Sequence, residues 1–152
     1  MDATDLKIVN ILQEDGRISM KELGNRVNLT SPAVSERVKR LEENGVIIGY
    51  TAIVDPTRMD LFVQALVHVG LKVSDHERFK KLAHDERNIV ECHHVTGEEC
   101  MTVKVICADT QELEMVLDKI QTIGSTKTSI ILSSPLERKP ILPKESSVTK
   151  NT

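Results

Sequence analysis

Apolar residues recur at helical spacing in three successive stretches of the first 45 residues. Each stretch repeats an apolar side chain every three or four positions, which is the period of a helix with one buried face. The pattern therefore predicts three helices, each of about three turns. The apolar positions are Leu6, Ile8, Val9, Ile11 and Leu12, then Met20, Leu23 and Val27, then Val34, Val38 and Leu41.

Residues that typically end or start helices separate the first two stretches. Gly16 follows the first stretch, in the way that a glycine often follows a helix C-terminus. Ser19 and Glu22 have the spacing of a capping box, which predicts the start of the second helix. Asn28 can adopt the left-handed backbone conformation that closes that helix.

The third helix follows after a very short turn. Ser31 can cap it and Pro32 suits its first position. Because only residues 28–30 lie between the second and third helices, their axes must cross steeply. Three short helices with such a turn are typical of a helix-turn-helix domain.

The remaining sequence changes to strand-like patterns. Residues 46–54 predict a strand, which Asp55 and Pro56 interrupt. From Phe62 onward, the order of predicted elements is strand, helix, strand, strand, helix, strand, which is the ferredoxin-like βαββαβ arrangement. A second capping box, Ser74 with Glu77, opens the first of these two helices. The predicted stretches are 62–73, 74–85, 88–95, 99–108, 109–124 and 126–134.

The predicted fold class is therefore α+β with two domains. Residues 1–49 form the helical domain, 50–61 a hinge strand and linker, and 62–134 the ferredoxin-like domain. Residues 135–152 contain three prolines and a polar end rich in Lys, Ser and Thr, which predicts an extended tail.

The third helix has the pattern of a helix that reads DNA. Val34, Val38 and Leu41 must face the core, which turns the other positions outward. The outward face begins with small residues, which suit base edges and thymine methyl groups, and ends with cations, which suit phosphates. Glu36 can accept a hydrogen bond from cytosine N4. The predicted DNA-binding residues are Thr30, Ser31, Pro32, Ala33, Ser35, Glu36, Arg37, Lys39 and Arg40.

The distribution of charge separates the helical segment from the rest of the chain. Residues 16–41 hold six cations and two carboxylates, a net +4, whereas the whole chain carries −3, which leaves −7 elsewhere. A charge-patterned helix alone would be a solvated face of a small bundle. Together with the short turn and the Ser31–Pro32 start, the charge favours a DNA-binding segment on an acidic body.

The three cysteines predict neither a disulfide framework nor a metal site. Cys92 and His94 share one face of a predicted strand, and His93 takes the other. Cys100 and Cys107 lie an odd number of residues apart, so they point oppositely if both lie in one regular strand. The sequence has no CxxC or HxxxH pair. We therefore predict structural cysteines, with no metal and no cofactor.

Several function classes are disfavoured by what the sequence lacks. It has no glycine loop for phosphates, no zincin helix and no nucleophile elbow, so we expect no enzyme. Aromatic residues make up only 2%, which disfavours recognition of single strands by base stacking. No apolar run approaches the roughly 20 residues that span a bilayer, so we expect a cytoplasmic protein without membrane partners.

The sequence resembles the Lrp/AsnC family of feast/famine regulators, from its first residue to about residue 135. The resemblance begins with DLKIVNILQEDGR at 5–17 and continues with VSERVKRLEENGVIIGY at 34–50. It resumes at Val95, Thr96 and Gly97 and closes with the Thr-Lys-Thr run at 126–128.

This resemblance implies a winged helix-turn-helix head, a hinge strand and an effector-binding, oligomerisation domain. Family members pair through the C-terminal sheet, and the dimers often assemble into octamers that wrap or bend DNA. Many bind an amino acid, such as leucine or methionine, in a cleft between dimers.

The resemblance also implies which residues line an effector cleft. The family's cleft is built around the glycine loop and the Thr-x-Thr strand. Many members have an aspartate three residues after that glycine, which would hold an α-ammonium group, and this chain has Cys100 there. A tight turn between strands is the alternative role for Gly97. The predicted effector-binding residues are Gly97, Glu98, Glu99, Cys100, Met101, Thr126 and Thr128.

The sequence thus predicts a sequence-specific transcriptional regulator that binds double-stranded DNA, assembles as a homo-oligomer and responds to an amino acid. Two alternatives remain. One is an architectural protein that wraps DNA without an effector. The other is a small-molecule sensing module that acts through protein contacts and has no DNA affinity.

Overall fold

The computed structural model describes residues 1–143; the end of the predicted tail, 144–152, lies outside the described residues. The chain divides into two compact units. The first, which we call the head, comprises Met1–Ile53 and the segment that starts at Leu136, and the second, the sheet unit, is Val54–Pro135. The helices are α1 (Ala3–Glu14), α2 (Met20–Val27), α3 (Ser31–Glu43), α4 (His76–Asp85) and α5 (Thr110–Gln121), and the strands are β1 (Val63–Gly70), β2 (Ile89–His94), β3 (Met101–Cys107) and β4 (Ser125–Ile130).

The head is built around the three predicted helices. Ser19 caps α2, since its hydroxyl accepts a hydrogen bond from the Glu22 backbone N–H at 3.1 Å. Asn28 closes α2 in the left-handed conformation, with a φ of 57°. The buried side chains of the three helices and of the connection between α1 and α2 form one apolar core: Ile8, Leu12, Ile18, Leu23, Val27, Val34, Val38 and Leu41.

The sheet unit has the predicted βαββαβ order. Its four strands are antiparallel to their neighbours and lie in the order β2-β3-β1-β4. Alternate residues of β1 and β3, such as Val67 and Val103, are buried against Phe79 of α4 and Val116 of α5. Both helices therefore cover the same face of the sheet, and the fold class matches the sequence prediction.

The opposite face of the sheet is uncovered within the described chain. Leu66 points to this face, because the neighbouring residues on β1 point into the helix-covered core, and it is 37% exposed. His68 lies beside it on the same face, where its Nδ1 is 3.0 Å from the Thr102 hydroxyl. A sheet with one bare, partly apolar face is incomplete as a packing unit.

The strand predicted over residues 46–54 is wrong for the described chain. These residues have no strand structure and pair with no strand among the described residues. Ile47 packs against the core of the head, but Ile48 is 96% exposed and Ile53 76% exposed, so most of the apolar side chains that predicted a strand have nothing to pack against here. Strand pairing needs a neighbour, and a local pattern cannot supply one.

The predicted capping box at Ser74 and Glu77 is also wrong. A short 3-10 turn, Val73–Asp75, precedes α4, and the N-cap of α4 is Asp75 without a side-chain capping bond. The Ser74 hydroxyl is instead 3.5 Å from the Asp75 carboxylate. The extra turn shifts the N-cap by one residue, from Ser74 to Asp75, which removes Ser74 from the capping position.

The described part of the tail belongs to the head. Residues 136–143 have no regular secondary structure. The Gln13 side-chain amide pairs with the Ile141 backbone in both directions, at 3.1 Å from Nε2 to the carbonyl and 2.8 Å from the N–H to Oε1. This two-point contact fastens the segment to α1.

Candidate nucleic-acid interface and effector loop

Helix α3 has a buried stripe and a continuous exposed face. Val34, Val38 and Leu41 are buried in the head, as the spacing predicted. Every predicted DNA-binding residue is exposed or half-buried: Thr30, Ser31, Pro32, Ala33, Glu36, Lys39 and Arg40 are exposed, and Ser35 and Arg37 are half-buried.

The start of α3 lies one residue earlier than predicted. Thr30 is the N-cap, and its hydroxyl accepts a hydrogen bond from the Ala33 N–H at 3.4 Å. Ser31 is therefore the first helical residue, and its carbonyl accepts a hydrogen bond from the Ser35 hydroxyl at 2.8 Å. The prediction of Ser31 as the cap is wrong because two hydroxyl residues stand side by side and only the first has an extended backbone.

The turn between α2 and α3 depends on a glycine. The Leu29 N–H donates to the Gly24 carbonyl at 2.9 Å, which brings the turn back over α2. A Cβ at Gly24 would lie 2.6 Å from the Leu29 carbonyl oxygen. The close approach of backbone to backbone at this point sets where Thr30 begins α3.

The cations of α3 have different partners. Lys39 Nζ is 3.7 Å from the Glu43 carboxylate, and both side chains are largely exposed. Arg40 Nη2 is 3.5 Å from Asp5 Oδ1, at the limit of a hydrogen bond, and its side chain is 54% exposed. The exposed Lys39–Glu43 pair contributes little stability. Arg40 is itself exposed and only at the distance limit from the buried Asp5, so both cations can exchange partners.

Arg37 is held much more tightly. Its Nη1 donates to Asp2 Oδ2 at 2.6 Å and to Asp5 Oδ1 at 2.7 Å. These hydrogen bonds raise the pKa of the Arg37 guanidinium. The backbone N–H of Asp5 and the Arg37 guanidinium lower the pKa of Asp2. Burial alone would raise the pKa of Asp5, but hydrogen bonds from Asp2 and Arg37 outweigh it and lower the pKa.

In the sheet unit, the predicted effector residues of the β2–β3 connection lie in one loop. Gly97 has a φ of 123°, a conformation that favours glycine, and Glu98 beside it is exposed. The Glu99 carboxylate is paired with the Lys127 ammonium, which lowers the pKa of Glu99. Glu98 is therefore the carboxylate of this loop without a hydrogen-bond partner among the described residues.

The other predicted effector residues are divided between the core and a sheet edge. Met101 and Thr126 are the two cross-strand partners of Val69, so β1 separates them. Met101 is 1% exposed and packs in the core, which leaves no surface for a ligand. Thr126 and Thr128 lie on the edge strand β4, and the Thr126 hydroxyl accepts a hydrogen bond from Gln121 at 3.1 Å.

Cys100 lies between this loop and α4. Its Sγ is 3.4 Å from Nε2 of His76, whose ring packs edge-on against the ring of His94 with 5.4 Å between centroids. Within residues 1–143, no group of three His, Cys, Asp or Glu side chains is arranged to hold a metal ion. All three cysteines are free; Cys107 is buried, and burial raises its pKa to about 11.

Both units of the chain match known protein families. Residues 1–48 match the family described as winged helix-turn-helix DNA-binding, and residues 64–141 match the Lrp/AsnC ligand binding domain. The transcriptional regulator LrpC of Bacillus subtilis is 35% identical over 133 residues, covering 88% of this chain and 92% of LrpC. The solved structure of LrpC superposes with a TM-score of 0.84, covering 88% of this chain and 96% of that one.

The chain belongs to the Lrp/AsnC family. It is therefore a transcriptional regulator of the helix-turn-helix type and not an enzyme. The family and the fold class predicted from the sequence are both confirmed.

Two further relatives are connected with amino acids, one by its name and one by the ligand in its solved structure. The leucine-responsive regulatory protein of Haemophilus influenzae is 34% identical over 139 residues, covering 87% of this chain and 84% of that protein. A transcriptional regulator from Neisseria meningitidis, solved in complex with L-Met, has a TM-score of 0.88 and 27% identity, covering 93% of this chain and 96% of that one.

Two functional residues of the Lrp/AsnC head were not predicted from the sequence. Asp2 and Asp5 form a reciprocal capping box at the start of α1, at 2.8 and 3.0 Å, and they also hold Arg37 of α3. The spacing of the two aspartates could have predicted the capping box. The pairing with Arg37 spans 32 residues of sequence, and no local pattern indicates it.

Among the described residues, no helix is long and apolar enough to cross a membrane. The longest helix in residues 1–143 is α3, with 13 residues.

Proposed function

We propose that this Lrp/AsnC regulator reads duplex DNA by placing the exposed face of α3 in the major groove. The division of α3 into a buried aliphatic stripe and a continuous exposed face is the observation that carries the proposal. A helix that is anchored along its buried stripe leaves its exposed face free to enter a DNA major groove about 12 Å wide. Ser35 and Glu36 lie on that face, within reach of base edges when the N-terminal half of α3 enters the groove.

The cationic end of α3 supplies phosphate contacts in this proposal. Lys39 and Arg40 follow the small residues of the exposed face and are only loosely paired within the head. A cation that neutralises a phosphate releases counterions from the DNA, which makes binding dependent on salt. Phosphate contacts fix the register of the helix, and base contacts then select the sequence.

The uncovered sheet face supports a homodimer. Leu66 and its neighbours on β1 and β3 present a mixed apolar and polar surface that no described element of this chain covers. A second copy can cover the same surface with its own, which is how a two-fold dimer forms. Further assembly, up to an octamer as in many family members, would bring several heads to one DNA and raise their effective concentration.

The effector of this proposal is an amino acid such as leucine or methionine. A relative named for its response to leucine and a relative solved in complex with L-Met support it. Glu98, the exposed carboxylate of the Gly97 loop, is the group we propose to bind an α-ammonium, since Cys100 takes the place of the usual aspartate. Calorimetric titration with L-leucine and L-methionine should release or absorb heat with the wild type and not with Glu98→Gln; no heat with either amino acid would contradict this part of the proposal.

A protein that acts on DNA works in the compartment that holds it. The cytoplasmic location predicted from the sequence is therefore part of the same proposal. An effector would act by binding one assembly state more tightly than another.

Removal of the two cations of α3 should weaken binding and flatten its salt dependence. In Lys39→Ala with Arg40→Ala, the slope of log affinity against log salt should fall by about 0.9 for each phosphate that the helix no longer neutralises. Binding to a labelled duplex is measured by fluorescence anisotropy between about 50 and about 200 mM salt.

The matched control removes two cations from the sheet unit. Lys80 and Lys81 are exposed on α4, so Lys80→Ala with Lys81→Ala changes the net charge equally. This control should keep the wild-type slope. An equal decrease in both double variants, or none in either, would reject α3 as the helix that faces DNA.

A further inference from the structure

Asp5 is the one charged residue that is buried among those the structure describes. It is only 4% exposed, and both of its carboxylate oxygens have partners. Oδ2 accepts from the Asp2 N–H at 3.0 Å, and Oδ1 accepts from Arg37 Nη1 at 2.7 Å. A buried carboxylate is tolerated when it is paired and hydrogen-bonded, so the position of Asp5 requires Arg37.

Arg37 is correspondingly turned away from the free surface of α3. Its side chain is 27% exposed, half the value of Arg40, which lies one turn further along. Its Nη1 lies between two carboxylates, at 2.6 Å from Asp2 and 2.7 Å from Asp5. Arg40 reaches only one of them, at 3.5 Å. The two arginines of α3 therefore have different tasks.

The contact between Asp5 and Arg37 fixes how α3 is rotated about its own axis. The apolar stripe allows small rotations, because aliphatic contacts have no direction. A hydrogen-bonded ion pair does have a direction, and it joins α1 to α3 at one point of the helix circumference. Base reading tolerates an error of only about 10–20° in the orientation of a side chain.

We propose that Asp5 and Arg37 form a positioning pair that orients α3 for base reading, and that Arg37 contacts no phosphate in the DNA complex. This inference rests on the proposed function of α3. It assigns Arg37 to specificity and leaves the salt-dependent contacts to Lys39 and Arg40. Asp2 supports the pair from the N-terminus of α1, where it accepts from both Arg37 and Asp5.

The test separates specificity from salt dependence. Affinity is measured for a duplex selected from random sequences by the wild type and for a scrambled duplex, across a salt series. Arg37→Gln should lower the ratio of the two affinities about tenfold while the salt slope on either duplex stays unchanged, because the cations that bind phosphate remain in place. Arg40→Gln is the matched control and should flatten the slope by about 0.9 per head while the ratio stays near the wild-type value.

A double variant distinguishes loss of the positioning pair from misfolding of the head. Arg37→Gln alone leaves the buried Asp5 with only Arg40, at 3.5 Å, as a cation. Asp5→Asn with Arg37→Gln removes both charges and leaves the net charge unchanged. This double variant should keep the wild-type slope and again lower the affinity ratio. A slope flatter by about 0.9 in this variant, or an unchanged ratio, would overturn the positioning role. Failure of the wild type to bind any duplex would instead overturn the proposed function itself.

Discussion

Replacing Gly24 with alanine is expected to destabilise the head by about 1–3 kcal/mol and to weaken DNA binding. In a helix, alanine is normally favoured over glycine by about 1 kcal/mol, so helix propensity alone predicts the opposite sign. The close approach of the turn reverses it, because the new Cβ would lie 2.6 Å from the Leu29 carbonyl oxygen. Relief of this clash must move the turn and with it Thr30, the N-cap of α3.

Gly16 provides the matched control in the same unit. A Cβ there would meet only ordinary contacts, at 3.6 Å from the Tyr50 ring and 3.7 Å from the Leu12 carbonyl oxygen. Gly16→Ala should therefore leave stability and DNA binding close to the wild type. Urea unfolding of both variants, followed by circular dichroism, measures the difference. A Gly24→Ala variant as stable as the wild type would contradict the close approach of the Leu29 carbonyl oxygen to Gly24.

Replacing Leu66 with aspartate should dissociate the proposed dimer. Burial of a leucine side chain contributes about 1.5–3 kcal/mol, and two-fold symmetry applies the loss twice. The dissociation constant should therefore rise by more than about a hundredfold. Sedimentation equilibrium of the full chain measures it directly. The fold should survive, since Leu66 is 37% exposed in the single chain and lies on the face away from the core.

The control variant places the same new charge on the helix-covered side of the sheet unit. Met115 lies on α5 and is exposed, so Met115→Asp adds the same charge at a surface that the proposed dimer does not use. This variant should sediment as the wild type does. Unchanged assembly in Leu66→Asp would place the subunit contact elsewhere.

The helical half of the chain was largely predictable because its signals are local. The stripe of Val34, Val38 and Leu41 and the left-handed Asn28 each depend on neighbours within one or two turns. The exact cap of α3 was not predictable, since Thr30 and Ser31 are both good capping residues. In α1 the sequence marked Leu6, Ile8, Val9, Ile11 and Leu12 as apolar, and the structure buries only Ile8 and Leu12 of these five.

The features that depend on distant partners could not be predicted. Pairing of Asp5 with Arg37 joins two helices that are 32 residues apart. The hydrogen bonds between Ile141 and Gln13 join residues that are 128 positions apart, and they attach the predicted extended tail to the head. Residues 46–54 have a strand pattern but no neighbour in the described chain. In each case the sequence specifies the local chemistry, and only the fold specifies the partner.

Selection of DNA sites from random duplexes tests the base-reading role of α3 most directly. Glutamate can accept a hydrogen bond from cytosine, whereas glutamine pairs with adenine. Wild-type protein should enrich half-sites spaced by about one helical turn, and Glu36→Gln should change the preferred base at one position of each half-site from cytosine to adenine. Glu77→Gln, a matched change on α4, should select the wild-type site. Identical sites for Glu36→Gln and wild type, or no enriched site at all with the wild type, would contradict base reading by α3.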